Sequence, residues 1–320
     1  MSDADLAIET QGLTRAFGDL RAVDGIDLAI PRGEIYGFLG PNGAGKSTVV
    51  RMLCTLLVPT AGSARVAGFD VVHQAEQVRL SIGAALQATA IDPKQTGREL
   101  LRLQARLYGL RGPAAAIRLA ELAELVDIGD ALDRRVSTYS GGMKRRLDLA
   151  IALVHTPSLL FLDEPTTGLD PSSRVRVWDE VRRLNAAEGM TIFLTTQYLE
   201  EADELASRVG IIDRGRLATQ GTPADLKRAV GADVVEADVH GDIEQAAAAV
   251  RALAEIEEVV VAGHVLTIRT ANGSAALSPV ALALAASGAE VRSLTLRTPT
   301  LDDVFLQLTG GHLQAGAEAA

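Results

Sequence analysis

The chain has 320 residues, 48% of them hydrophobic, enough for one large core or for a large core plus a small second domain. A formal net charge of −10 disfavours non-specific nucleic-acid binding by the surface as a whole. The single cysteine, Cys54, excludes an intrachain disulfide, fits a reducing compartment, and reads as a core residue within MLCTLLV. The start, MSDADLAIETQGL, is acidic and lacks the basic and apolar regions of a leader. No stretch reads as a transmembrane helix, so the chain is expected to be soluble by itself.

In chain order, LAIETQGLTRAFG and GIDLAIPRG predict short antiparallel strands with turns at Gly18 and Gly33. EIYGFLG is an apolar strand that runs into GPNGAGKST and then an apolar helix, TVVRMLCTLLV. From about 95 to 150 the pattern is helical. LLFLD and MTIFLTT are continuously apolar, as strands inside a covered parallel sheet are, with the helix VRVWDEVRRLNAAEG between them. RVGIIDRGRLATQG reads as a hairpin. Composition shifts near Gly221, and beyond it the order is β-α-β-β-α-β, that of a small ferredoxin-like unit. There TANGSAALSPVALALAASGA reads as a loop followed by an amphipathic helix. In TLDDVFLQL, Leu301, Val304, Phe305 and Leu308 share one face, which either packs into a core or meets a partner. Residues 311–320 read as a disordered tail.

GPNGAGKST matches G-x-x-x-x-G-K-[ST] at Gly40, Gly45, Lys46 and Ser47. Glycines let successive backbone N–H groups curl around an anion, and the following helix points its positive end at it. Lys46 supplies a charge for the β- and γ-phosphates, and the Ser47 hydroxyl is a Mg²⁺ ligand. Asn42, Gly43 and Thr48 count among the same nucleotide-binding positions. Asp163 ends an apolar strand, where open α/β sheets place ligand groups, and is expected to hold Mg²⁺ through water. Glu164 follows, placed to polarise a water for in-line attack on the γ-phosphate. Five scattered histidines form no metal-ligand spacing.

YSGGMKRRLDLA opens a helix with Ser140, Gly141 and Gly142, which alone would pass for an ordinary N-cap. Lying shortly before LLFLDEPTTGLD, it resembles the signature of the ATP-binding-cassette (ABC) ATPases, usually LSGGQ, with Met143 in place of Gln. The resemblance covers about residues 5 to 220. It implies an α/β phosphate-loop nucleotide-binding domain over 5–221, with a mixed core sheet, an antiparallel β subdomain and a helical subdomain at about 88–150. The accessory α+β ferredoxin-like domain is then 222–310. It further implies that two chains sandwich two ATPs with Mg²⁺, the signature of one capping the γ-phosphate held by the other.

Gln87 falls at the family's Q-loop glutamine, which touches Mg²⁺, although a surface amide is its plainer reading. Phe17 matches the aromatic that stacks on adenine, with plain core as the alternative. Gly168, Leu169 and Asp170 match the D-loop, or else form an ordinary turn. Gln197, in FLTTQYLEEA, replaces the usual switch histidine. Its amide is expected to donate to the γ-phosphate, unless it merely starts a helix. TTQYLEEAD, TYSGGMKRRLD and the late TLDDVFLQLTG together resemble antibiotic-resistance ATPases of the daunorubicin/doxorubicin exporter type. These pair with a separate membrane permease, which implies a peripheral place on the cytoplasmic face of the membrane. The competing readings are a non-transport cassette acting on ribosomes or DNA, and an ATP switch that barely hydrolyses. Lys144, Arg145 and Arg146 could draw one towards nucleic acid, but read as a polar helix face.

Overall fold

A computed structural model describes residues 6–86 and 91–309. Gln87 and the tail 311–320 lie outside the described residues. The chain divides into two compact units, one running to Pro223 and the other starting at Ala224.

The first unit begins with the hairpin β1 (Leu6–Phe17) and β2 (Leu20–Pro31), then β3 (Ile35–Leu39) and α1 (Lys46–Leu53). β4 (Ala61–Val66), β5 (Phe69–Asp70), α2 (Ala75–Ser81) and β6 (Ile82–Ala85) follow. Three helices come next, α3 (Gly97–Leu107), α4 (Gly112–Val126) and α5 (Gly141–Ala152). β7 (Leu159–Asp163), α6 (Pro171–Glu188), β8 (Thr191–Thr196), α7 (Leu199–Leu205), β9 (Arg208–Asp213) and β10 (Arg216–Gly221) complete it. One sheet is antiparallel, in the order β2-β1-β4-β5; the other is β10-β9-β3-β8-β7-β6, parallel except for its β10 edge.

Alternation along the central strands makes two cores. Tyr36, Phe38, Leu159, Phe161 and Phe193 pack with α1 and the antiparallel sheet. Ile35, Leu160, Leu162, Ile192 and Leu194 pack with α3 to α6 on the opposite side. This two-sided burial is why LLFLD and MTIFLTT are apolar at nearly every position. Phe193 centres one core, with its ring 5.5 Å from Phe38, 5.6 Å from Phe161 and 5.8 Å from Tyr36.

The second unit contains α8 (Pro223–Val230, its first residue on the boundary), β11 (Asp233–His240), α9 (Ile243–Arg251), β12 (Ile256–Ala262) and β13 (Val265–Thr270). It ends with α10 (Gly273–Ala286), β14 (Glu290–Arg297) and α11 (Leu301–Thr309). Its antiparallel sheet, in the order β12-β13-β11-β14, carries the expected β-α-β-β-α-β sequence. On α11, Leu301, Val304 and Phe305 are buried, while Leu308 is 43% exposed.

Three local expectations change. The apolar helix after the phosphate loop stops at Leu53, because Thr55 takes a left-handed backbone (φ 62°) and Pro59 lies just beyond. The segment before Pro279 is helix, not loop: Asn272 accepts from Ala275 N at 3.1 Å and starts α10, which absorbs the proline internally. The KRR segment is not a uniform polar face, since the side chain of Arg145 is only 10% exposed.

Candidate nucleotide site

β3, β8 and β7 are neighbours, and their carboxyl ends align: Leu39 pairs with Thr196, and Thr195 with Asp163. The residues that follow these strands, Gly40, Gln197 and Glu164, therefore emerge side by side, at the edge where such sheets hold ligands.

The loop after β3 is tightly set. Gly43 and Gly45 have φ of 82° and 111°. A Cβ on Gly40 would lie 2.4 Å from Ile212 O, and one on Gly45 would lie 2.5 Å from Ala22 O. No side chain caps α1 at Gly45, so its first-turn N–H groups at Lys46, Ser47 and Thr48 are available to an anion. Asn42 is exposed on the outer rim of the loop.

Lys46 is buried, 5% exposed. Its Nζ donates to Gly40 O at 2.6 Å and Pro41 O at 3.2 Å, and lies 3.9 Å from Glu164 Oε1. Burial holds it below the usual lysine range, and the charges of Glu164 and Asp163 oppose that shift.

Asp163 is buried, and its Oδ1 accepts from Ser47 Oγ at 3.4 Å and from Thr195 Oγ1. Ser47 and Asp163 thus bring two hard oxygen donors together beside the loop, a pairing that suits Mg²⁺. Glu164 has φ 49°, a left-handed conformation unfavourable for a side chain with a Cβ. It is held there by N–H bonds to Thr195 O at 3.0 Å and Thr195 Oγ1 at 3.1 Å. Thr167 Oγ1 donates to Glu164 Oε2 at 3.4 Å.

Gln197 is half-buried at the end of β8, and its side chain forms no hydrogen bond among the described residues. Phe17 is 47% exposed on the β1–β2 hairpin, which excludes the plain-core alternative, and the Arg15 guanidinium lies 4.6 Å from its ring centroid.

The structure does not bring the signature to this cluster. Ser140 caps α5, accepting from Met143 N at 3.3 Å. A Cβ on Gly142 would meet Ser173 Oγ at 2.8 Å, and one on Gly141 would touch Leu169 Cδ2 at 3.7 Å. Among the described residues, no hydrogen bond joins Ser140, Gly141 or Gly142 to Lys46, Ser47 or Asp163. Asp170 caps α6, accepting from Ser172 Oγ at 2.6 Å, Ser173 Oγ at 2.6 Å and Ser173 N at 3.0 Å, and these bonds hold its carboxyl far below the usual range.

Two residues take roles here that the sequence reading did not assign. Thr195 fastens both Asp163 and Glu164, and its only sequence signal is a hydroxyl at the end of an apolar strand. Arg145 reaches from α5 to Pro165 O at 2.9 Å, Asp163 O at 3.3 Å and Ala85 O at 3.4 Å, and pairs with Asp148 at 2.9 Å. It ties the signature helix to the strand end that carries Asp163.

Burial pushes the Asp148 carboxyl up to about 6 despite Arg145. The folded state thus binds this proton more tightly than the unfolded chain, and the contribution of Asp148 to stability falls as pH rises from about 4 to about 6. Arg145→Gln should cost about 3–5 kcal/mol at pH 8, where Asp148 is left charged, buried and unpaired. At pH 5, where Asp148 takes up a proton, the loss should be smaller. Urea unfolding at the two pH values measures the difference, and equal losses would contradict it.

Comparison with known proteins places the chain in a family. The ABC transporter family profile matches residues 23–167, and the profile for the C-terminal domain of DrrA1-3-like ATP-binding proteins matches residues 221–309. The daunorubicin/doxorubicin resistance ATP-binding protein DrrA of Streptomyces peucetius is 49% identical, over 95% of this chain and 92% of that protein. The linearmycin resistance ATP-binding protein LnrL of Bacillus subtilis is 36% identical, over 96% of this chain and 99% of that protein. A solved ATP-binding subunit of an ABC transporter superposes with a TM-score of 0.64 at 27% identity, covering 70% of this chain and 92% of that one.

Proposed function

From the premise that the chain belongs to the ABC transporter ATP-binding proteins with a DrrA-like C-terminal domain, we propose that it powers export of hydrophobic, antibiotic-type compounds through a separate membrane permease. The chain is an ATPase whose hydrolysis is coupled to transport. No helix among the described residues is long and apolar enough to cross a membrane; in this reading the separate permease supplies the translocation path. The enzyme then works at the cytoplasmic face of that membrane.

The observation that carries this reading is a division within one chain. Lys46, Ser47, Asp163, Glu164 and Gln197 lie at or just beyond the carboxyl ends of three adjacent strands, whereas Ser140 and Gly141 stand exposed on another element. A site that needs both sets is completed by a second copy. In this arrangement the α1 N-terminus and Lys46 bind the phosphates, and Phe17 stacks on adenine. Glu164 takes the proton of the attacking water, and Ser140 with its glycines closes over the partner's nucleotide. Ser47 and Asp163, with Gln87, would hold Mg²⁺, which when bound neutralises phosphate charge. Gln197 donates its amide to the γ-phosphate.

A neutral hydrogen bond is worth about 0.5–1.5 kcal/mol, so Gln197→Ala should slow hydrolysis by no more than about tenfold. Gln197→His should recover or exceed the parent rate, most clearly below pH 7, where the imidazole carries charge. Phosphate release across pH measures both. Unchanged ATP affinity and hydrolysis in Gln197→Ala would remove this residue from the site.

The transport reading is tested by capture from detergent-solubilised membranes of the native host, with ATP and Mg²⁺, using Glu164→Gln as bait and Lys46→Ala as control. The expected result is enrichment of a small multi-spanning membrane protein. Ribosomal proteins or nucleic acid in its place would overturn it.

A further inference from the structure

One buried carboxylate beside the site has no part in the chemistry above. Glu201, in α7, is 0% exposed. Trp178 Nε1, from α6, donates to its Oε1 at 3.0 Å. The hydroxyls of Thr166 and Thr196 lie against it, the Arg174 charge acts on it, and burial still pushes its carboxyl above the usual range. Yet Glu201 Oε2, Thr166 Oγ1 and Arg174 Nε are each buried without a hydrogen-bond partner among the described residues. Buried polar atoms without a well-formed bond are unfavourable, and two of them beside a carboxylate oxygen in the same state mark a junction where a small shift closes new bonds.

Three segments meet at this junction. Thr166 stands two residues after Glu164. Thr196 immediately precedes Gln197, and its Oγ1 accepts from Tyr198 N at 2.9 Å. Arg174 stands in the first turn of the helix that Asp170 caps, and its guanidinium lies 4.6 Å from the centroid of the Tyr198 ring.

We propose that Glu201 is a positioning residue for hydrolysis, holding the Glu164–Asp170 turn and the Gln197 loop in one register so that movement of either is passed to the other. It touches no nucleotide and acts through Glu164 and Gln197, so the proposal rests on the reading of the strand-end site as the ATPase centre. Closing Oε2 onto Thr166 or Arg174 draws the turn towards α7. The same motion reaches the D-loop residues Gly168 to Asp170, which continue that turn.

Trp178 is the only tryptophan in the chain and bonds to Glu201 directly, so its fluorescence reports this junction. In the parent protein, ATP with Mg²⁺ should change Trp178 emission. Glu201→Gln keeps the side-chain shape; kcat should fall about tenfold with KM within about twofold, and the ATP-dependent emission change should be lost. Thr166→Val leaves the Trp178 bond intact and should lower kcat by about threefold with the resting emission preserved. It serves as the test if Glu201→Gln does not fold. Parent-like kcat and emission response in Glu201→Gln would overturn the proposal. So would a fully active Thr166→Val beside a Glu201→Gln whose activity loss only tracks its loss of folded protein. Lys46→Ala, measured alongside, tests the underlying reading separately: hydrolysis retained there would remove the ATPase centre from this site, whatever Glu201→Gln does.

Discussion

Glu164→Gln should lower ATP hydrolysis by about 10²–10⁴-fold, the range lost with a general base, while ATP binding is kept. The amide has the size of the carboxylate and can still accept from Thr167 Oγ1. The left-handed backbone at residue 164 is set by Thr195 through the main-chain N–H, which the substitution does not touch. What disappears is the negative charge 3.9 Å from Lys46 Nζ. Without it the γ-phosphate meets no repulsion from this side, and nucleotide should bind as tightly as before or more so. The ATP-bound dimer should then persist. Phosphate release, binding of a fluorescent ATP analogue and light scattering with ATP and Mg²⁺ read the three effects. Hydrolysis within about threefold of the parent would place the base elsewhere.

Lys46→Ala should have the opposite signature, a large loss of nucleotide affinity with a smaller loss of stability in the protein alone. The ammonium is buried, and its deprotonation is favoured by that burial; its bonds run to two carbonyls of its own loop. Removing it also removes its desolvation penalty, but it leaves the buried carboxylates of Asp163 and Glu164 without their nearby cation, so the unliganded fold should lose up to about 3 kcal/mol. Charged hydrogen bonds are worth about 1.5–3 kcal/mol each. Losing two to the phosphates costs about 3 kcal/mol or more, over a hundredfold in affinity. A thermal melt should show a lowered midpoint without nucleotide and no shift on adding ATP. Affinity within about threefold of the parent would show that the loop N–H groups bind the phosphates unaided.

The two variants separate binding from chemistry at neighbouring positions. Both substitutions lie within a cluster built by strand order: β3, β8 and β7 stand together although their residues are far apart in the chain. The side-by-side exit of Gly40, Gln197 and Glu164 is a property of that sheet.

The amino-acid sequence by itself determined most features set by local spacing and period, though not where α1 ends or where α10 begins. The phosphate loop was legible because its glycine, lysine and serine spacing is a local requirement for wrapping an anion. LLFLD and MTIFLTT were legible because strands covered on both faces leave few polar positions, and the β-α-β-β-α-β order because each element has its own period. Tertiary structure alone decided which polar groups meet. Thr195 became the anchor of Asp163 and Glu164 through strand pairing. Arg145, one of three basic residues in a row, turned inward because α5 packs against the strand end that presents Pro165 and Asp163 carbonyls. Glu201 stood in a run of acidic residues with nothing to distinguish it from Glu200, until α7 set one in solvent and the other at 0% exposure against Trp178. Apolar burial follows a periodic pattern that can be counted along a chain. The partner of a buried charge is supplied by a distant segment, and only packing selects it.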